Sequence, residues 1–279
     1  MIVTIIGIGL IGGSMALALK EKKLASKVIG VEENEAHAQK ALELGLVDEI
    51  TDLDTAVSQS ELIVLAIPVN AAEVMLPYIL DKTVKQVVMD VGSIKGGILQ
   101  TIAQHPNRKR FIATHPMWGT EYSGPQAAVH GAFAGKATVI CEKESADEDA
   151  VELVEKLYGQ LGMHLVYMNA EEHDLHVAYI SHISHITSFA LANTVLEKER
   201  EEDAIFELAS AGFESTVRLA KSNAAMWVPV LMQNRENVLD VLNEHLSQLR
   251  KFKACLEKEN YDYLQELIEN ANKIKRILK

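Results

Sequence analysis

The chain has 279 residues, 48% of them hydrophobic and 24% charged, with a formal net charge of −12. That composition is globular and long enough for two domains, and its acidic balance argues against a general nucleic-acid or anionic-membrane surface. Cys141 and Cys255 stand far apart without CxxC spacing, which speaks against a cysteine metal site and fits a reducing, cytoplasmic setting.

From the N-terminus, the apolar opening is broken by Gly7, Gly9, Gly12 and Gly13 and has no basic leader. No apolar run reaches about 18 residues, so neither a secretion signal nor a membrane span is expected. Short apolar runs predict strands at 3–6, 27–31, 62–66, 87–90, 111–114, 137–140 and 164–167, with amphipathic segments such as 147–160 between them. Strands alternating with helices predict a mostly parallel sheet covered on both faces. After Asn169 the strand signals fade. Leu239, Leu242, Leu246, Leu249, Phe252 and Leu256 recur at three- and four-residue spacing, the stripe of an apolar helix face. The expected organisation is therefore an α/β dinucleotide-binding domain at 1–169, followed by an all-α domain at 170–279. The Leu stripes of that second half are expected to support a homodimer.

The first strand runs into Gly7-Ile8-Gly9-Leu10-Ile11-Gly12-Gly13-Ser14, a GxGxxG turn that opens a helix. Gly7 permits the tight turn, Gly9 lets the backbone approach a pyrophosphate, and Gly12 lets helix and strand pack closely. The helix N-terminus, at Leu10 and Ile11, offers free N–H groups to the phosphates. The second strand ends at Glu32, at the spacing of a carboxylate that accepts from the adenosine ribose and repels a 2′-phosphate. No arginine follows, so NAD is favoured over NADP.

Three later strand ends carry Pro68, Ser93 and His115 along one rim of the sheet, where ligands bind in open parallel sheets. The stretch Thr114-His115-Pro116-Met117-Trp118-Gly119-Thr120-Glu121 places an imidazole, hydroxyls and a carboxylate at one such end. A histidine there suits proton removal from an alcohol as hydride leaves its carbon, and equally suits a loop histidine bonded to backbone. Ser93 reads as a helix N-cap, as an orienting hydroxyl, or as both.

Residues 170–196 read as one long helix bearing His173, His176, His182 and His185. At helical spacing the four histidines share no face, which gives no zinc site. His185 falls on a stripe with Ala178, Ser181, Ser188 and Ala192, small enough to admit another element or a ligand. His182 leans toward Leu175, Tyr179, Ile186 and Phe189 as a packed histidine. Asp174 either orients His173 or caps the helix start. Arg218, on a short helix, is a solvated surface group or a bidentate grip on a substrate carboxylate.

Taken together, the chain resembles the prephenate/arogenate dehydrogenase family over nearly its whole length. The resemblance rests on the glycine turn, Asp90-Val91-Gly92-Ser93-Ile94-Lys95-Gly96 and His115-Pro116-Met117-Trp118-Gly119-Thr120-Glu121. Further on it rests on Ser181-His182-Ile183-Ser184-His185, Phe189-Ala190-Leu191, Gly212-Phe213 with Arg218, and Met226-Trp227. One such motif is weak; the set in order is specific. The resemblance implies NAD-dependent oxidation of prephenate with loss of the ring carboxylate, or the same oxidation of arogenate. It implies that His115 receives the 4-hydroxyl proton and that Ser93 positions His115 and the nicotinamide end. It further implies that His185 and Arg218 hold substrate, and that Thr120 and Glu121 line and gate the pocket. Ala211 stands where many relatives carry glycine and Ser215 where they often carry aspartate, positions that bear on substrate preference and tyrosine inhibition. Any feedback is expected to act at or near the site itself.

Overall fold

The computed structural model describes residues 1–199 and 206–277. Strand β1 (Ile2–Ile6) passes through the glycine turn into helix α1 (Leu10–Glu21). The alternation continues with β2 (Lys27–Val31), α2 (Glu35–Glu43), β3 (Glu49–Ile50), α3 (Leu53–Gln59), β4 (Leu62–Leu65) and α4 (Val69–Lys82). Then come β5 (Val87–Asp90), α5 (Gly96–Thr101), β6 (Phe111–Pro116), β7 (Ala137–Cys141), α6 (Glu148–Gln160) and β8 (His164–Met168). Among the described residues these strands form one sheet in the order β3-β2-β1-β4-β5-β6-β7-β8. Every pairing is parallel except β6 with β7. The order reverses between β1 and β4, and that switch point is where a doubly wound sheet leaves a crevice beyond its carboxyl ends.

Strand alternation divides the core between two faces. Val3, Ile5, Val64, Met89 and Ile112 pack with Met15 and Leu19 of α1 and Val154 and Leu157 of α6. Ile6, Ile63, Leu65, Val88 and Phe111 pack with Leu76 and Ile79 of α4 and Ile98 and Leu99 of α5. Burying each such side chain stabilises the fold by about 1.5–3 kcal/mol. All four residues of β4 are buried, which is why its sequence, Leu-Ile-Val-Leu, is a run rather than an alternation.

Within the sheet, two features depart from the sequence expectation. β3 was not anticipated, because two residues carry no readable period. β6 runs on past Thr114, so His115 lies within the strand, paired opposite Val139 of β7, and does not follow it. The antiparallel neighbour extends the ladder beyond the point where β5 ends.

The chain divides into two compact units, Met1–Asn234 and Arg235–Lys279. The first includes, besides the sheet, α7 (Ala170–Val177), α8 (Ile183–Glu199), α9 (Ala211–Val217) and α10 (Ala224–Gln233). α7 starts at a capping box: Asn169 accepts from the Glu172 N–H at 2.8 Å, and Glu172 accepts from the Asn169 N–H at 3.3 Å. A π-helical turn, Ala178–His182, separates α7 from α8 where a continuous α-helix was expected. The extra residue rotates everything after it by about 100° relative to a straight helix. His182 therefore turns inward and is fully buried, whereas Leu175 and Tyr179, its expected neighbours, are exposed. The second unit holds α11 (Arg235–Glu257) and α12 (Tyr261–Ala271), the latter capped by Asn260, which accepts from the Tyr263 N–H at 3.1 Å. Leu239, Leu246, Leu249 and Leu256 of the α11 stripe are exposed on this chain. Cys141 and Cys255 are both free and buried, and no described helix is long and apolar enough to cross a membrane.

Candidate active site

The carboxyl ends of β1, β4 and β5 lie in register, Ile6 beside Leu65 and Leu65 beside Asp90. The turn after β1 begins with Gly7 at φ +86°, a value that favours glycine. A Cβ on Gly12 would stand 2.0 Å from the Gly7 carbonyl oxygen, so the close packing of turn and helix requires glycine there. A Cβ on Gly9 would meet nothing within 4 Å, and α1 has no side-chain cap at its N-terminus. Open space over uncapped N–H groups, including those of Leu10 and Ile11, is a cradle that fits a dinucleotide pyrophosphate. Glu32, at the end of β2, accepts from the Ile8 N–H at 2.9 Å and the Asn34 N–H at 3.1 Å. Those bonds hold its carboxylate beside the turn. Pro68 caps α4 on the same rim without a side-chain bond.

Beyond β5 lies a buried ionic network. Lys95 is fully buried; its ammonium contacts the Asp90 carboxylate and donates to the Thr114 carbonyl at 2.6 Å. Asp90 also accepts from the Gly92 N–H at 2.9 Å and from the Thr114 N–H at 3.0 Å. The Thr114 hydroxyl donates to the Asp90 carbonyl, so the Tyr158 hydroxyl donates to Thr114, at 2.6 Å. Burial pushes the Tyr158 phenol above its ordinary range. This lattice of bonds clamps the end of β5 to β6 one residue before His115.

His115 is half-buried. Its Nδ1 lies 2.9 Å from Nε2 of His173, whose own Nδ1 lies 2.7 Å from Asp174 Oδ1. The Asp174 carboxylate also accepts the Lys95 N–H at 2.9 Å and the Gly96 N–H at 2.8 Å. Of the two readings of Asp174, the structure shows the orienting one; the helix it caps is α5, not its own. Withdrawal from solvent, together with His173 and Lys95 nearby, holds the His115 imidazole well below its ordinary pKa. Burial likewise lowers His173, with Asp174 partly opposing it. The hydrogen-bond partner of His115 is thus His173, a contributor not anticipated. Ser93 is half-buried at the same rim, and the N-cap position of α5 belongs to Lys95.

A small third core of Val69, Ile94, Val177, Trp227 and Val230 joins the sheet rim to α10. The stripe of small residues around His185 is filled by Trp227, whose ring stacks on His185 with centroids 3.5 Å apart and planes 27° apart. Trp227 also meets His182 edge-on at 5.9 Å. His185 Nδ1 donates to the Ser181 carbonyl at 3.0 Å, and burial lowers its pKa, so the ring is neutral with Nε2 unprotonated. Burial lowers the His182 pKa to about 4. Ser188 ties α8 to α9 by donating to the Thr216 carbonyl at 3.1 Å. Just beyond α9, Arg218 Nη1 donates to Glu121 Oε2 at 2.8 Å. That pair joins two residues predicted separately, a substrate grip and a pocket gate. Thr120, half-buried beside them, accepts from the Tyr122 N–H at 3.3 Å. Ala211 and Ser215 are exposed, and Ser215 donates to the Gly212 carbonyl at 3.0 Å.

Residues 15–167 match the family model described as "Prephenate dehydrogenase, nucleotide-binding domain", and residues 169–270 match "Prephenate dehydrogenase, dimerization domain". The chain belongs to the prephenate dehydrogenase family. It is 30% identical to the prephenate dehydrogenase of Bacillus subtilis, over 95% of this chain and 72% of that protein. It is 28% identical to the cyclohexadienyl dehydrogenase of Zymomonas mobilis, over 99% of this chain and 96% of that one. Among solved structures it superposes on A. aeolicus prephenate dehydrogenase in complex with hydroxyphenyl propionate and NAD+. That match has a TM-score of 0.86 at 29% identity and covers 99% of this chain and 97% of the other. The protein is therefore an oxidoreductase with a Rossmann-type nucleotide-binding domain followed by helices.

Within this prephenate dehydrogenase fold, the sequence reading missed three contributors: Lys95, the His173–Asp174 pair as partner of His115, and Trp227 as the wall behind His185. Lys95 had a signal, since a lysine two residues beyond Ser93 in an otherwise apolar and glycine-rich stretch has few ways to be solvated. The pairing of His173 with His115 had none, because 58 residues separate them.

Proposed function

We propose that this protein oxidises prephenate with NAD, releasing the ring carboxylate as carbon dioxide and leaving 4-hydroxyphenylpyruvate. The observation that carries this reading is an imidazole, His115, withdrawn from solvent and bonded to His173 on the rim of the same sheet whose β1 end carries a cradle for a dinucleotide. Gly7, Gly9, Leu10, Ile11, Gly12, Glu32 and Pro68 border the cofactor, and Glu32 selects NAD by accepting from the ribose hydroxyls. When bound, NAD supplies the hydride acceptor. His115 takes the 4-hydroxyl proton as C4 gives up its hydride. The ring-to-carboxylate bond then breaks, its electron pair enters the ring, and the proton returns to the phenolic oxygen. No net proton is consumed or released. Ser93 positions the nicotinamide end. Because aromatisation drives the reaction, the protein supplies alignment and a base, and positioned base help is worth about 10²–10⁴-fold.

Arg218 holds a substrate carboxylate, taking it in exchange for Glu121, while Thr120 and His185 line the same space. Charge-assisted hydrogen bonds of this kind contribute about 1.5–3 kcal/mol. Arg218→Ala is therefore expected to raise KM for prephenate roughly tenfold or more, with little change in kcat, in steady-state assays. An unchanged KM would return Arg218 to a purely structural pairing with Glu121.

The functional division runs near residue 169, with cofactor held by 1–169 and substrate closure and dimerisation assigned to 170–279. The exposed Leu stripe of α11 supports a homodimer, to be checked by mass in solution, and the free cysteines suit the cytoplasm. Oxidation of arogenate is the alternative activity. Rates with prephenate and arogenate, each with NAD and NADP, test the whole assignment: the fastest pair is expected to be prephenate with NAD. A preference for NADP would contradict the role of Glu32.

A further inference from the structure

The buried partners of His115 form a directed chain. Asp174 uses both carboxylate oxygens to accept backbone N–H groups of Lys95 and Gly96, so it faces His173 Nδ1 as an acceptor and that nitrogen must donate. A neutral His173 then has its lone pair on Nε2, the atom 2.9 Å from His115 Nδ1. His115 Nδ1 must in turn carry a proton and donate it. The only other arrangement needs a charged His173 that donates at both nitrogens. Burial of His173, which lowers its pKa, opposes that arrangement. Asp174 itself is fixed from behind: Asn234 Nδ2 donates to its carbonyl at 2.6 Å.

We propose that His173 and Asp174 are positioning residues that lock His115 in its Nδ1–H tautomer and so leave Nε2 as the proton acceptor. The proposal rests on the reading of His115 as the base. An isolated imidazole divides its proton between the two nitrogens; here the partner of Nδ1 settles which one is free. When Nε2 takes the substrate proton, both hydrogen bonds keep their direction. No proton travels along the chain, and the Asp174 carboxylate stabilises the imidazolium through His173. Among the described residues, the hydrogen-bond partner of the His115 ring is His173 and not Ser93.

Nitrogen NMR of the full protein with isotope-labelled histidine tests this, with the His115 signals assigned by their loss in His115→Asn. The expected result is a protonated Nδ1 and a bare Nε2 for His115 at neutral pH. His173→Leu is expected to lose on the order of 10²-fold in kcat, within the contribution of a positioned base, and to release His115 into a tautomer mixture. KM for prephenate and NAD affinity stay in place, the pattern of an interaction made only in the transition state. His173→Gln, whose side-chain carbonyl can accept from Nδ1, recovers most of the lost rate. A protonated Nε2 on His115 of the unaltered protein, or a full kcat in His173→Leu, would overturn the proposal. Should His173→Leu fail to fold, the tautomer of the unaltered protein decides the matter. Full turnover by His115→Asn would instead remove the base assignment on which the proposal rests.

Discussion

Replacing His115 with asparagine is expected to lower kcat by about 10²–10⁴-fold while leaving NAD affinity unchanged. Asparagine is smaller but its amide N–H can still donate to His173, while it cannot take a proton from the 4-hydroxyl. His115 belongs to β6 and its backbone is pinned by pairing with Val139 on β7, so the change should not unravel the rim. The cofactor cradle lies on β1 and α1, separated from β6 by β4 and β5, and among the described residues the imidazole bonds to His173 instead. The pH dependence follows from the same surroundings. Desolvation, with His173 and Lys95 nearby, keeps the pKa of His115 well below the ordinary 6.5. The neutral, proton-accepting ring therefore persists as pH falls, until the lowered pKa is crossed. The acid limb of kcat/KM, which reports the free enzyme, should lie below 6.5. A near-normal rate for His115→Asn, or an acid limb at or above the ordinary value, would remove His115 from its role.

The second large effect is on stability and comes from Lys95. This side chain is fully buried against Asp90, and removing one member of a buried ion pair leaves the other charged and unpaired. Lys95→Met is expected to cost about 3–5 kcal/mol in urea unfolding. Asp90→Asn alone should also destabilise, since Asp90 anchors Gly92 and Thr114 as well. The double variant should cost less than the sum, because neither residue is then left with a buried unpaired charge. Strict additivity would mean that the two charges do not depend on each other. The network gives a physical role to a lysine buried just before α5. Its ammonium binds the Thr114 carbonyl, and so it fixes the residue immediately before His115.

What could be read from the residues was whatever repeats locally or recurs in a spaced pattern. The glycine turn, the parallel strands and the carboxylate at Glu32 were legible because each depends on its neighbours in sequence and on a strand-turn-helix context. β6 was legible as a strand but not in its length, since the antiparallel partner that extends it comes from 137–141. The helix around His182 was legible as a helix, while its π-helical turn was not, because a single extra residue leaves composition and periodicity almost unchanged. His182 was rightly read as a packed histidine but with the wrong neighbours, whereas the small-residue stripe around His185 was rightly read as a place of close approach. Its occupant, Trp227, comes from another helix. Arg218 and Glu121 were each singled out, but their pairing across 97 residues of sequence is a property of the fold. The same holds for His115 and His173: side chains from a strand and from the first helix after the sheet meet only once α7 is docked on α5. Family resemblance supplied the identities of the acting groups; the structure supplied their bonds.

Proton removal, hydride loss and decarboxylation of one substrate are assigned to this one site. Giving the purified protein NAD and prephenate, and measuring NADH and carbon dioxide in the same reaction, decides whether this is so. Both are expected to form in equal amounts, with 4-hydroxyphenylpyruvate accumulating to match. NADH without carbon dioxide, or no NADH from a protein that binds NAD, would contradict it.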